Sequence, residues 1–140
     1  MMSWPLLTGP FDVHAKPPHG VWTKVNDYVE GGTTLKIEVA DKAAKWKYNP
    51  DAECGPDGDP GSLVLRSKCL LASAPVGAVI GKLGGSTAGA ADGTVFVVGH
   101  WCVVKVGTDG GPLYLTINNQ ENGMSNNDGT MKVSVYRGLT

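Results

Sequence analysis

The chain has 140 residues, a length that suits one domain, and its formal net charge is −1 at pH 7. This near-neutral charge gives no electrostatic reason to expect nucleic acid or an anionic membrane as a partner. The 20 glycines and 9 prolines, with only 18% charged residues, are typical of a turn-rich β protein. No apolar run approaches the length needed to cross a bilayer, so we expect no membrane insertion.

The first segment, Met1–Phe11, lacks the basic start and the long apolar core of a secretory signal peptide. The sequence therefore assigns no cellular location. A cytoplasmic protein that leaves the cell by an unconventional route is compatible with this start.

Short alternating segments recur along the chain, and Gly- and Pro-rich turns separate them. They predict strands at Trp4–Leu7, Gly20–Val25, Thr34–Val39, Ser62–Arg66, Ala78–Leu83, Thr94–Val98, Cys102–Val106, Leu113–Asn118 and Met131–Tyr136. Good helix formers gather only in the short segment Val39–Lys47. Many short strands at fairly even spacing predict an all-β sandwich or jelly roll.

The three cysteines, Cys54, Cys69 and Cys102, cannot form a fully paired disulfide framework, and no Cys/His cluster has zinc-like spacing. Cys102 lies in an apolar run, which predicts a buried thiol. Cys54 and Cys69 both lie beside loops, and a bond between them is left open.

A long polar segment, Asn118–Gly129, separates the last two predicted strands and is called the Asn-rich loop below. It concentrates side-chain and backbone oxygens, which are the ligands of a hard cation such as calcium. Asn, Asp and Gly are also ordinary turn residues, so an exposed connection is the alternative interpretation.

A second oxygen-rich segment, Tyr48–Asp59, is called the Pro-Gly loop. Pro50 and Pro56 stiffen its path, and Gly55 and Gly58 permit sharp turns. Loops longer than a connection requires are enriched in function. Because a sandwich gathers its loops at two ends, this loop can meet the Asn-rich loop.

Together the two loops resemble the bacterial calcium-dependent galactophilic lectins of the PA-I type. That family has a Tyr, six residues and then Gly-Pro-x-Gly-Asp, and this chain has Tyr48 followed at the same spacing by Gly55–Asp59. The family also has Asn-Asp, a short loop and Asn-Asn-x-Gly, which correspond here to Asn118–Asn119 and Asn126–Gly129. The resemblance covers most of the chain and implies one galactose-binding-like, jelly-roll lectin domain over residues 1–140.

The resemblance also implies a calcium ion at the loop end, with two sugar hydroxyls completing its coordination. The implied metal ligands are the Tyr48 carbonyl, Asn119, the Gly123 carbonyl, Asn126 and Asn127. The implied sugar contacts are Tyr48, Asn119, Gln120, Gly123 and Asn126. We expect Asn126 and Asn127 to be exposed, galactose or a galactoside to be the ligand, and the protein to form a homodimer or homotetramer. The strand Met131–Tyr136 is a candidate edge for pairing between subunits.

Three departures from the family alter this site. Asn119 stands where the family has a ligating Asp, which removes charge and predicts weaker calcium binding. The segment Pro60–Leu63 replaces a sugar-contacting His-Pro-x-Gln stretch, and Val76 replaces a sugar-contacting Cys. We therefore expect a recognisable scaffold with a changed sugar pocket.

These observations predict a calcium-dependent carbohydrate-binding lectin and no enzyme. The first alternative is a degenerate lectin-fold module that serves protein interaction or assembly without calcium or sugar. The second is a glycosidase that uses the acidic side chains within Asp51–Asp59, although turn chemistry explains those residues equally well. Of the four tryptophans, only Trp46 lies near Tyr48 as a candidate stacking surface for a sugar ring.

Overall fold

Two four-stranded antiparallel sheets form the body of the protein in the computed structural model, which describes residues 3–18, 20–62, 66–89 and 92–139. The strands are β1 Leu6–His14, β2 Thr23–Val29, β3 Thr34–Val39, β4 Trp46–Asn49, β5 Ala52–Cys54, β6 Val79–Leu83, β7 Thr94–Val97, β8 Trp101–Lys105, β9 Gly111–Ile117 and β10 Thr130–Arg137. One sheet has the order β1-β10-β3-β8, the other has β2-β9-β6-β7, and β4 pairs with β5 in a separate hairpin. Two short 3-10 segments cover Arg66–Lys68 and Glu121–Asn126. This architecture confirms the predicted all-β sandwich.

Alternating side chains build the core between the sheets. In β3, Leu35, Ile37 and Val39 are buried, and the residues between them are half-buried. Antiparallel pairing sets Val133 of β10 beside Val39 and Val135 beside Ile37, and both valines are buried. Each such side chain contributes roughly 1.5–3 kcal/mol when it leaves water. The period of two in the sequence therefore specifies which face of each strand points inward.

Strand bounds differ from the predicted ones mainly where turn residues lie inside a strand. Thr34–Val39 is confirmed residue for residue. The first strand is Leu6–His14 instead of Trp4–Leu7, because the chain passes Gly9 and Pro10 through a shift in the pairing register with β10 and then continues. The predicted strand Ser62–Arg66 falls largely on residues 63–65, outside the described residues, and Arg66 begins a 3-10 turn.

The short segment in which good helix formers gather, Val39–Lys47, joins β3 to β4 and forms no helix. Val39 ends β3, and the chain turns at Asp41, whose carboxylate accepts a hydrogen bond from the Ala43 amide at 2.9 Å. At Trp46 the chain enters the β4–β5 hairpin, which the sequence pattern did not predict. No helix in the described part of the chain is long and apolar enough to span a membrane.

The strand proposed as a subunit-pairing edge lies inside its sheet. β10 pairs with β1 on one side and with β3 on the other, so its backbone groups already have partners. The strands at the ends of the two sheet orders are β1, β8, β2 and β7. The edge assignment for Met131–Tyr136 was therefore wrong.

A fully buried lysine anchors the loop that follows β6. The Lys82 ammonium donates hydrogen bonds to the carbonyls of Ser86 at 2.6 Å and Gly89 at 2.7 Å, and to the Asp92 carboxylate at 2.5 Å. The rings of Trp22 and Tyr114 each lie 5.0 Å from it. All three donors of the ammonium thus have acceptors, which offsets the large cost of burying a charge.

Lys82→Met should lower the free energy of unfolding by about 2–3 kcal/mol, because the loop carbonyls lose a charged donor. Urea unfolding measures the change. The matched control is Lys24→Met, since Lys24 is exposed and pairs with Asp27 on the surface. That control should leave the free energy of unfolding nearly unchanged. Equal effects of the two substitutions would contradict this role for Lys82.

The free energy of unfolding should also fall in acid, because Asp92 becomes protonated. Hydrogen bonds from Lys82 and Ser86 lower the pKa of Asp92 from 3.8 to about 2. A lowered folded-state pKa stabilises the native state above the unfolded value, and that contribution is lost as pH falls through the folded value. Between about pH 4 and pH 2, the native chain should therefore lose stability more steeply than Asp92→Asn. Urea unfolding at a series of pH values tests this, and parallel curves for the two proteins would contradict it.

Candidate functional site

The Pro-Gly loop and the Asn-rich loop meet at one end of the sandwich. Lys47 and Asp128 form an antiparallel bridge in which each amide donates to the other's carbonyl, at 2.7 Å and 3.0 Å. The 3-10 helix Glu121–Asn126 packs against β4. The β4–β5 hairpin thus brings Tyr48 beside the residues that follow β9.

Trp46 lies buried beneath the two loops. It is 1% exposed, and its indole nitrogen donates a hydrogen bond to the Gly77 carbonyl at 2.7 Å. Gly129 lies so close that an added Cβ would sit 2.9 Å from the Trp46 Cβ. Trp46 therefore supports the loops from below and offers no face to a sugar ring.

Asn118 holds the segment before β6. Its side-chain oxygen accepts from the Leu71 amide at 2.9 Å, and its nitrogen donates to the carbonyls of Leu71, Ala74 and Pro75 at 2.9–3.1 Å. It is fully buried. This asparagine clamps backbone and leaves no group for a ligand.

Asn119 connects two of the other predicted ligands. Its side-chain nitrogen donates hydrogen bonds to the Tyr48 carbonyl and to Asn127 Oδ1, each at 2.8 Å. Its side-chain oxygen accepts from the Gln120 amide at 2.8 Å. Asn119 is only 4% exposed. The Tyr48 carbonyl, Asn119 and Asn127 are called the amide cluster below.

Asn127 is buried, contrary to the expectation of an exposed side chain, and is 5% exposed. Its nitrogen donates to the Ala15 carbonyl at 2.7 Å and lies 3.2 Å from Met124 Sδ. These contacts turn its oxygen toward Asn119. Asn127 therefore links the Asn-rich loop to the chain that follows β1.

The remaining predicted site residues surround the amide cluster. Gly123 is half-buried, and an added Cβ there would lie 3.4 Å from Asn119 Oδ1. Asn126 is exposed at the end of the 3-10 helix. Gln120 is half-buried and forms a backbone bridge with Cys69. The structure thus gathers all the predicted residues at one loop end.

The amide cluster does not present the donor set that calcium needs. Calcium binds oxygen ligands, yet Asn119 turns its N–H groups toward two of the oxygens expected to hold the ion. Among the described residues, no group of three or more His, Cys, Asp or Glu side chains could hold a metal. As arranged, these residues do not fit the ion. Calcium binding stays a prediction from the resemblance.

An open groove lies beside the amide cluster on the Pro-Gly loop side, with a volume of about 440 Å³. It is lined by Tyr48, Asn49, Pro50, Asp51, Ala52, Asp59, Gly61 and Ser62. The Asp59 carboxylate accepts hydrogen bonds from the Tyr48 hydroxyl at 2.6 Å and the Gly61 amide at 2.9 Å. The groove therefore offers amide, carboxylate and hydroxyl groups held on a stiff loop.

Val76, the residue that the resemblance aligns with a sugar-contacting cysteine, is fully buried. Its carbonyl accepts a hydrogen bond from the Asp59 amide at 2.7 Å. Asp57, from the same acidic run, accepts one from the His100 amide at 2.7 Å. Val76 therefore belongs to the core, and Asp57 and Asp59 both hold neighbouring segments in place.

Cys54, Cys69 and Cys102 form no disulfide bond within the part of the chain that the structure describes. Burial raises the pKa of Cys54 to about 12 and that of Cys102 to about 11. These two thiols therefore remain protonated at neutral pH, and a protonated thiol is a poor nucleophile. Cys102 is half-buried, not buried as predicted, because it lies on the edge strand β8.

Similarity to known proteins is found at the level of structure. No protein-family model matches the chain, and no curated protein matches it either. One solved structure, described as "EclA N-terminal domain; PllA-like lectin", is similar with a TM-score of 0.62 and 22% sequence identity. The likeness covers 97% of this chain and 97% of that one. The chain therefore shares the fold of that lectin domain.

The buried and exposed asparagines should respond differently to truncation. Asn127→Ala should lower the free energy of unfolding by about 1–3 kcal/mol, because Asn119 loses an acceptor and the Ala15 carbonyl loses a donor. Asn126→Ala should change it by less than about 0.5 kcal/mol, since its side chain is exposed. Urea unfolding compares the two variants. Equal stability would contradict the described network.

Proposed function

We propose that the protein is a carbohydrate-binding lectin module whose binding surface is the loop end around Asn126 and the adjoining groove. The observation that carries this proposal is the full-length likeness to a PllA-like lectin domain. The polar groups at the loop end add chemical support. Because fold alone does not determine function, we place the binding surface where those groups lie.

The groove residues suit a ligand with many hydroxyls. A sugar hydroxyl both donates and accepts, and Asn49, Asp51 and Ser62 line the groove with groups of both kinds. The groove is open and stiffened by Pro50. Such a site contacts few sugar atoms, so one copy would bind a monosaccharide weakly.

Two finer features come from the sequence resemblance and are part of the proposal. They are a preference for galactose or galactosides and assembly into a homodimer or homotetramer. Linked copies would convert weak single sites into useful avidity. Calcium, the third feature that the resemblance implies, is not proposed, because Asn119 turns its N–H groups toward two of the oxygens expected to hold the ion.

Asn126→Ala should weaken binding of a responsive glycan about tenfold, equivalent to about 1.4 kcal/mol, because it removes an exposed amide at the proposed surface. A glycan array run with calcium and with a chelator identifies the responsive glycan, and titration calorimetry measures its affinity. Ser125→Ala is the matched control, since Ser125 is the exposed preceding residue. Equal losses in both variants would contradict this placement of the site.

A second candidate function is protein interaction. Trp101 and Val103 of the edge strand β8 are 55% and 50% exposed, so an apolar stripe faces solvent there. A blank glycan array in both conditions, together with self-association in light scattering that Trp101→Ser removes, would favour this candidate over the lectin.

A further inference from the structure

We infer that the side-chain amide of Asn119 takes the structural place of a calcium ion, so that this loop end is assembled without a metal. In the lectin family that the sequence resembles, an ion joins the oxygens of these loops. Here the Asn119 nitrogen lies 2.8 Å from both the Tyr48 carbonyl and Asn127 Oδ1. Two oxygens that converge on one point need positive charge between them, and two N–H bonds supply it.

Three hydrogen bonds fix the orientation of the Asn119 amide. The Gln120 amide donates to Asn119 Oδ1 at 2.8 Å, while the nitrogen serves the two acceptors. Rotating the amide by half a turn would set oxygen against two oxygens and NH₂ against the Gln120 N–H. Because every one of these contacts would become repulsive, the hydrogen bonds determine which atom of the Asn119 amide is the oxygen and which is the nitrogen.

The partner side chain is fixed in the same way. Asn127 donates from its nitrogen to the Ala15 carbonyl at 2.7 Å, which leaves its oxygen for Asn119. All the hydrogen bonds of this series therefore have the same direction. The Gln120 amide donates to Asn119, Asn119 donates to Asn127, and Asn127 donates to the Ala15 carbonyl. Neither asparagine can exchange the positions of its side-chain oxygen and nitrogen without breaking these hydrogen bonds.

The network also links the segments that an ion would join. It ties the end of β9, the β4 strand, the start of β10 and the chain after β1 to one another. Asn119 and Asn127 are nearly fully buried, so a lost partner is not replaced freely by water. The neutral side-chain amide of Asn119 thus joins these segments, and none of the groups that it binds has to carry a charge.

Asn119→Asp tests the inference by exchanging the donor for an acceptor of nearly the same shape. The carboxylate would face the Tyr48 carbonyl and Asn127 Oδ1 with no proton between them, so the folded state should lose stability until a cation enters. Asn122→Asp is the control, because it adds the same charge to an exposed position of the same loop. The full chain and both variants are unfolded thermally in chelator and in millimolar calcium.

We expect the native chain and Asn122→Asp to keep the same midpoint in both conditions. Asn119→Asp should unfold at least about 3 °C lower in chelator than the control and should recover in calcium. A rise in the midpoint of the native chain with calcium, with one ion bound per chain in calorimetry, would overturn the inference. So would an Asn119→Asp variant that behaves like Asn122→Asp.

These readouts are stability and ion binding, and they do not depend on the sugar. Glycan binding that persists in chelator would support both this inference and the proposed lectin. Absence of glycan binding together with the expected response of Asn119→Asp would reject the lectin function and leave the role of Asn119 intact.

Discussion

The need to satisfy buried polar groups at the loop end is the constraint on which the rest of this structure depends. The sandwich core is generic, since alternating apolar strands would pack in many related proteins. The loop end is specific, because Asn118, Asn119 and Asn127 each bind backbone from a distant part of the chain. A missing partner there leaves a desolvated donor or acceptor, which costs more than the hydrogen bond itself contributes. The positions of the two loops thus follow from the directions of three side-chain amides.

Structural likeness and local chemistry give different kinds of information about function. The match with a PllA-like lectin domain, over 97% of both chains, shows that the two share a fold. It does not determine what the loops bind, because a single change from carboxylate to amide reverses which atoms accept and which donate. The groove beside Tyr48 and the exposed Asn126 present amide, carboxylate and hydroxyl groups. Beneath these groups, hydrogen bonds from the side-chain amide of Asn119 join the two loops.

Much of the fold follows from the sequence, because periodicity reports burial directly. β3 was predicted to the residue, since Leu35, Ile37 and Val39 alternate with polar residues. The β4–β5 hairpin was not predicted, because its strands have only four and three residues and are preceded by good helix formers. At the site, residue types and spacing predicted which residues gather. They could not predict the burial of Asn127, which depends on Ala15 in a remote segment, or which atom of the Asn119 amide faces its neighbours.

At the opposite end of the sandwich, Lys82 provides a cation that, unlike a bound ion, cannot dissociate from the protein. Its ammonium binds the loop after β6 much as a cation would, yet a covalent tether keeps it within the same molecule. Its effective concentration at the site is therefore independent of dilution and of the ionic content of the surroundings. The contact therefore persists when the protein is diluted, because the ammonium cannot diffuse away. Retention of shape at this end is thus encoded in the chain itself.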